Sequence, residues 1–158
     1  MKNRMLTKKP KQRFKITPAS YLVLIKNGKI LLSRRYNTGY RDGQYTLVSG
    51  HVDEGESFIS TMIREAKEEA NIKIRQQDLE VVHVMNRCEG FDPIGIRHRI
   101  DVYLAPKKWQ GEIKNLEPHK CDDLAWFPLA HLPKKTIPFV RAAIKDIRKK
   151  KHYSEFGF

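Results

Sequence analysis

Tyr21-Leu22-Val23-Leu24-Ile25 and Ile30-Leu31-Leu32 are dense apolar runs separated only by Lys26-Asn27-Gly28-Lys29. Short apolar runs bounded by turn residues predict strands, and Asn-Gly is a strong signal for a two-residue hairpin. Tyr45 to Val48 predicts a third short strand. Beyond it the period changes: Ile59, Ile63, Ala66 and Ala70 recur at helical spacing and share a stripe of roughly 60° at about 100° per residue. Leu79 to Met85 and Ile100 to Leu104 predict further strands, with Glu89-Gly90-Phe91-Asp92-Pro93 as the loop between them. Another strand is expected from Leu124 to Phe127. Leu132-Pro133 then opens an amphipathic stretch, Ile137 to Ile147, followed by Arg148-Lys149-Lys150-Lys151, cations suited to a helix C-terminus. Strands before and after a central helix, with a second helix at the end, predict a layered α+β fold.

The polar face of the central helix changes the picture from fold to chemistry. Glu65, Glu68 and Glu69 lie three and four residues apart and project within an arc of roughly 100°. Like charges at this spacing destabilise a helix by about 0.2–0.5 kcal/mol per pair. A bound cation would explain their retention, whereas a solvated acidic face would not need the ordered surroundings described next. Oxygen donors without Cys or His point to Mg²⁺ or Mn²⁺ rather than zinc.

The glutamates stand in a longer pattern, GHVDEGESFISTMIREAKEEANI, from Gly50 to Ile72. Gly50 is followed after five residues by Glu56, and after seven more by Arg64-Glu65-Ala66, then Glu68-Glu69 and Asn71-Ile72. This resembles the Nudix box, G-x5-E-x7-R-E-U-x-E-E-x-G-U with U aliphatic, at every defined position but one, where Asn71 replaces glycine. That glycine closes the helix in the left-handed conformation, and asparagine is the usual second choice there. Just upstream, Val48-Ser49 stands where many members carry Pro-Gly. A serine still offers the backbone carbonyl that the family uses at that position.

The resemblance implies an α/β/α sandwich, with a mixed β-sheet between helices and the box as a loop–helix–loop. It covers roughly residues 17–147, with motif-grade identity confined to the box. It further implies a hydrolase (MutT-like) that cuts within the phosphate chain of a nucleoside diphosphate linked to a group X, with Mg²⁺ as cofactor and Mn²⁺ as a substitute. Glu65, Glu68, Glu69 and the Ser49 carbonyl would hold the metal. Glu65 or Glu69 would also act as general base, a choice that varies across the family. Arg64 and Glu56 would pair and orient Glu65, and Gly50 would allow close backbone approach to metal and phosphate.

Outside the box the signals are weaker. Arg34 and Arg35 end a strand leading toward the box, and an arginine fork suits phosphate oxygens. Because strand side chains alternate, at most one should reach a ligand. Arg41, Asp42 and Gln44 lie on the loop before the box and are candidates for substrate contact. Asp122 and Glu117 are candidates for a further acidic ligand. His51 is expected to be an exposed loop residue. Trp109, Trp126, Phe91 and Tyr103 are aromatic candidates for stacking on a base, with core packing the better reading for Trp126. His83, His98 and Cys121 carry no functional claim.

Composition bounds these readings. A chain of 158 residues predicts one domain, divided here into a basic arm (1–15), a hydrolase domain (16–150) and a C-terminal tail (151–158). The formal net charge of +13 belongs mostly to the ends: +7 within residues 1–15 and +4 within 141–158, against +2 between them. Basic ends favour polyanions, so RNA is a candidate partner beside a nucleotide or nucleotide-derived substrate. Cys88 and Cys121 form no C-x-x-C motif, and no secretory or membrane-spanning segment is evident, which predicts a cytoplasmic protein with no membrane partner. Oligomeric state stays open, a homodimer included. The leading expectation is hydrolysis of a nucleoside triphosphate or oxidised nucleotide to monophosphate and pyrophosphate. The alternatives are an RNA 5′-end pyrophosphohydrolase and a non-catalytic nucleotide-binding module.

Overall fold

In this computed structural model the backbone is described for residues 14–92 and 95–158, and the side chains of these for all but 90–97. The strands are β1 (Thr17–Leu22), β2 (Ile25–Lys26), β3 (Lys29–Arg35), β4 (Tyr45–Thr46), β5 (Ser49–His51), β6 (Leu79–Asp92), β7 (Gly95–Pro106), β8 (Cys121–Pro128) and β9 (Tyr153–Phe156). The helices are α1 (Phe58–Ala70) and α2 (Pro138–Arg148). One mixed sheet has the order β5-β1-β7-β6-β9, with β1 parallel to β7 and β6 parallel to β9. In the second sheet β3 pairs with β2, β4 and β8. The predicted hairpin forms as expected: Lys26 faces Lys29, with Asn27 at φ 51° and Gly28 at φ 71°.

Why the first apolar run is continuous follows from what covers it. Tyr21 and Val23 belong to a core cluster shared with Phe139, Val140, Ala143 and Ile144 of α2. Leu22 and Leu24 belong to the cluster shared with Met62, Ala66 and Ala70 of α1. Alternate residues thus point to opposite layers, and both faces are apolar because a helix covers each. The α/β/α layering expected from the sequence is present.

Helix α1 starts at Ser57, whose hydroxyl accepts from Ser60 N at 3.1 Å while Ser60 Oγ accepts from Ser57 N at 2.8 Å. This reciprocal arrangement satisfies donors that the first turn leaves free. The helix ends at Asn71, left-handed at φ 58°, as its place in the box requires. Its core face is rotated slightly from the expected stripe. Met62, Ala66 and Ala70 are buried, whereas Ile59 and Ile63 sit half-buried at the edge. Two alanines let the helix backbone approach the sheet, with Glu65 and Glu69 turned toward its β5 edge and Glu68 exposed. Pro138 opens α2, where its missing N–H costs no hydrogen bond.

Three expectations need correction. Residues Glu89 to Asp92, expected in a loop, continue β6, which pairs with β7 from Leu79 to Asp92. Pro93 lies outside the described residues. The polar character of this segment comes from Arg87 and Glu89 pointing into a cleft rather than to solvent, so it reads as loop. The C-terminal stretch set apart as a tail forms β9 instead, paired in parallel with β6 from Val84 to Arg87. Buried His83 fastens it, with Nδ1 2.9 Å from Lys151 O and Nε2 2.8 Å from Ser154 Oγ. The expected strand from Tyr45 to Val48 is shortened to β4, Tyr45–Thr46, and β5 begins beyond it at Ser49. Of the basic arm, only Phe14 and Lys15 fall among the described residues.

Candidate active site

The glycine turn and α1 are built as a unit. Strand β5 lies antiparallel to β1, with Ser20 facing Gly50 and Tyr21 facing Ser49. Ser20 Oγ donates to Phe58 O at 2.8 Å, which ties the start of the helix to the same strand. A side chain on residue 50 would overlap the Glu65 carboxylate, so only glycine lets that carboxylate lie against the β5 backbone. The group that lies against Gly50 in the structure is the Glu65 carboxylate.

Arg64 organises the acidic flank. Its Nε and Nη2 donate to the two Glu56 oxygens at 2.8 and 2.9 Å, a bidentate fork. Its Nη1 donates to Glu65 Oε1 at 2.7 Å and to Glu68 Oε2 at 3.3 Å. Thr61 Oγ1 adds a donor to Glu56 Oε2 at 2.8 Å. The Arg64 fork, with Thr61 and the Asp53 N–H, holds the Glu56 carboxyl far down, at about 2. The loop before α1 is thereby fixed to the helix, and Glu65 is aimed by a guanidinium that cannot itself titrate.

Glu69 faces the other way, toward β5, where its Oε2 accepts from Ser49 N at 3.4 Å. Burial, then the charges of Glu65 and Glu117, pushes its carboxyl up to about 8. Burial also raises Glu65, partly offset by Arg64. Glu68 is exposed. Glu117 reaches this acidic side and pairs with Lys120 at 2.9 Å, whereas Asp122 is held at the surface by Arg34 at 2.7 and 3.1 Å. Of the two later acids proposed from sequence, Glu117 is therefore the one near the site.

The donor set fits a hard divalent cation: three carboxylates, with no thiol or imidazole among them. Among the described residues, however, no three acidic, His or Cys side chains already converge as a cage.

Two cavities flank β5 and share Arg35, Thr46 and Ser49. One of about 210 Å³ is lined by Glu69, Glu117, Lys120 and Cys121 among others. The other, of about 280 Å³, is lined by Gly50, His51, Tyr21, Arg87 and Arg99 among others. Strand alternation separates the two arginines of β3 as expected. Arg35 lines both cavities and is held by Tyr40 O at 2.6 Å and Thr38 Oγ1 at 2.9 Å. Arg34 points outward to Asp122 and is absent from both linings, so its assignment to substrate is not supported by its position.

Other expectations resolve geometrically. Arg41 Nη2 pairs with Glu89 Oε1 at 3.0 Å, and Asp42 accepts from Thr38 N and Gly39 N at 3.1 and 3.0 Å, shaping the loop before the box. Neither Arg41, Asp42 nor Gln44 lines either cavity. His51 is exposed at the rim. Packing on its inner edge, then Arg99 and further guanidiniums, holds it below the usual imidazole value. Tyr103 is core, stacked 5.0 Å from Tyr21. Trp126 packs on the α1 core, and Trp109 does likewise at the far end of β7, beneath Lys26. Phe91 has no described side chain.

The sequence reading missed Arg87 and Arg99. Arg87 is 1% exposed, with Nε 2.6 Å from Asp101 Oδ2 and its guanidinium 3.7 Å from the Phe139 ring centroid. Its Nη1 lies 2.7 Å from Glu89 Oε2, a charge contact whose geometry is not that of a hydrogen bond. The available signal was alternation: Arg87 and Glu89, and Arg99 and Asp101, sit two apart and so share a face once β6 and β7 are drawn to full length.

The profile of the NUDIX domain matches residues 16–147. The NAD-capped RNA hydrolase NudC of Pectobacterium carotovorum is 28% identical over 127 residues, covering 79% of this chain and 45% of that protein. NudC of Pseudomonas entomophila is 25% identical over 119 residues, 75% of this chain and 39% of that protein. This chain therefore spans less than half the length of these relatives. A MutT NUDIX hydrolase from Burkholderia pseudomallei superposes with a TM-score of 0.74 at 23% identity, covering 84% of this chain and 98% of that one. The NUDIX domain of Shewanella oneidensis NrtR, complexed with ADP ribose, gives 0.68 at 20% identity, covering 91% and 94%. At these identities the structural likeness speaks to the fold. Among the described residues no helix is long and apolar enough to cross a membrane.

Proposed function

The chain belongs to the Nudix family of hydrolases that cut pyrophosphate bonds, and from that premise we propose a Mg²⁺-dependent pyrophosphohydrolase of nucleoside triphosphates or their oxidised forms. The products are a nucleoside monophosphate and pyrophosphate. The observation that carries this reading is the buried Glu69 carboxylate beside Glu65 on the β5 backbone, at the edge of a cleft supplied with Arg35.

Glu65, Glu68 and Glu69, with the Ser49 carbonyl, would hold Mg²⁺, and Mn²⁺ would substitute. When bound, the ion would supply charge neutralisation as the phosphates react and would lower the pKa of a nearby water. Arg64 and Glu56 keep Glu65 oriented. Arg35 offers a guanidinium to phosphate oxygens at the cleft between the two cavities. Glu65 or Glu69 would take the proton of the attacking water. The test is a screen of nucleoside triphosphates, dinucleoside polyphosphates, nucleotide sugars and 5′-triphosphorylated RNA with Mg²⁺, with the released group identified. Pyrophosphate and a monophosphate from triphosphates are expected. Inertness toward every triphosphate would refute the reading.

A second reading, action at RNA 5′ ends, draws on the NAD-capped RNA hydrolases among the relatives and on the basic residues at the chain ends. It requires preference for 5′-modified RNA over free nucleotides and activity that falls steeply as salt rises. Equal, salt-insensitive rates on both would exclude it.

A further inference from the structure

Strand β5 divides two opposite excesses of charge. The carboxylates lie on the α1 side, and on the other side Arg35, Arg87 and Arg99 line the 280 Å³ cavity. Arg87 and Arg99 sit directly opposite one another on β6 and β7, a placement that destabilises a ladder when both side chains carry the same charge. Asp101 and Glu89 compensate Arg87. The others are compensated only from farther off: Asp101 feels the charge of Arg99 and Asp42 that of Arg35, but among the described residues neither arginine has a carboxylate within ion-pair distance. Arg99 Nη1 is 2.6 Å from the His51 ring nitrogen Nε2, a neutral acceptor, and its Nε is buried without a hydrogen-bond partner. A buried donor left unpaired is costly, and a guanidinium without an anion more so.

We propose that this cavity is the subsite for the terminal phosphate of the substrate, with Arg99 and Arg35 as its specificity-determining residues. The inference rests on the hydrolase reading and narrows it. A terminal phosphate carries about −1.5 to −2 charges at neutral pH, with three acceptor oxygens. A substrate whose pyrophosphate ends in a sugar, such as ADP-ribose or a nucleotide sugar, brings no such group to this place. The volume agrees, lying just under the roughly 300–1,000 Å³ of pockets that enclose drug-sized ligands. It suits a phosphate or pyrophosphate better than a second nucleoside. Arg35, shared with the cavity that holds Glu69, links the subsite to the acidic side of β5. The favoured substrates are thus linear polyphosphates with a free end, whether free nucleoside triphosphates or 5′-triphosphorylated chains.

The probe is inorganic pyrophosphate, titrated calorimetrically into the full chain in EDTA so that no divalent ion bridges it to the carboxylates. Wild type should bind, and Arg99→Gln should weaken binding about tenfold or more, the loss typical of one charged hydrogen-bonding group. Arg99→Lys, which keeps the charge but loses the fork, should fall between them and serves if the glutamine variant does not fold. With Mg²⁺, Arg99→Gln should lower kcat/KM for ATP about tenfold or more, but that for ADP-ribose less than about twofold. Equal pyrophosphate binding by all three proteins would overturn the subsite, as would triphosphate turnover indifferent to Arg99→Gln, which leaves the hydrolase reading standing. Arginine-dependent pyrophosphate binding with no turnover of any nucleotide would support the subsite and remove the hydrolase reading instead.

Discussion

The Glu65 carboxylate occupies the space that a side chain at Gly50 would fill. The first and the central residues of the box are thus in direct steric register, fifteen positions apart in sequence. Gly50→Ala should push Glu65 out of place and lower kcat/KM about 100-fold, the scale of a 1 Å misplacement near the chemistry. The collision is with a side chain that can swing away. The melting temperature should therefore stay within about 4 °C, equivalent to roughly 1 kcal/mol for a chain of this size. A fully active Gly50→Ala enzyme would break the link between the glycine and the carboxylate.

Glu69 sets a pH dependence for cation binding. In the metal-free protein its carboxyl is protonated up to about pH 8, raised first by burial and then by Glu65 and Glu117. Binding of Mg²⁺ should release that proton, so affinity should climb with pH and level off above about 8. Glu69→Gln should flatten the climb. In EDTA the folded-state pKa lies above the ordinary 4.5, so this group's contribution to stability is full below that value and is lost as pH rises through about 8. Calorimetric titration of Mg²⁺ at several pH values, with denaturant melts in EDTA, checks both. PH-independent Mg²⁺ affinity in wild type would contradict the placement of Glu69.

Glu56 has the opposite sign. Arg64, followed by Thr61, lowers its carboxyl from 4.5 to about 2 in the folded state. Its contribution is therefore present above about pH 4.5 and is lost as pH falls through 2. Glu56→Gln should be less stable than wild type at neutral pH, with a gap that narrows over that acid range. Thermal melts of both proteins at pH 5, 3 and 2 measure it, and a gap of constant size would show that the pair is not what holds the loop.

Arg34 and Arg35 are neighbours with different surroundings. Arg34 is an exposed partner of Asp122, and Arg35 lines both cavities beside β5. Arg34→Ala should change kcat/KM by less than about twofold, in keeping with exposed ion pairs. Arg35→Ala, which also frees the Tyr40 and Thr38 loop contacts, should lower it about tenfold to 100-fold. Reversed sensitivities would mean that β3 presents its other face to the substrate.

Local rules carried much of this structure. Asn27-Gly28, the alternation in Tyr21–Leu24 and the left-handed Asn71 each follow from backbone preferences or from a two-sided core, which neighbouring residues are enough to reveal. The box pattern likewise located Glu56 and Arg64 eight residues apart on one fork. What escaped depended on contacts between distant segments. Glu89 looked like loop because its polar neighbours turn inward only when β7 lies beside β6, and residues 153–156 looked like tail because their pairing partner is β6. Arg87 and Arg99 were invisible as a pair for the same reason. The choice between Arg34 and Arg35 needed the direction of the strand, which the pattern of alternation leaves undetermined by itself.

Turnover of a nucleoside triphosphate by Glu68→Gln and Glu69→Gln, at saturating Mg²⁺ and with products identified, bears most directly on the acidic helix as the catalytic centre. Wild type should release a nucleoside monophosphate and pyrophosphate. Each variant should keep the wild-type circular dichroism while losing about 10²–10⁴-fold in kcat. Wild-type turnover in both variants would contradict it.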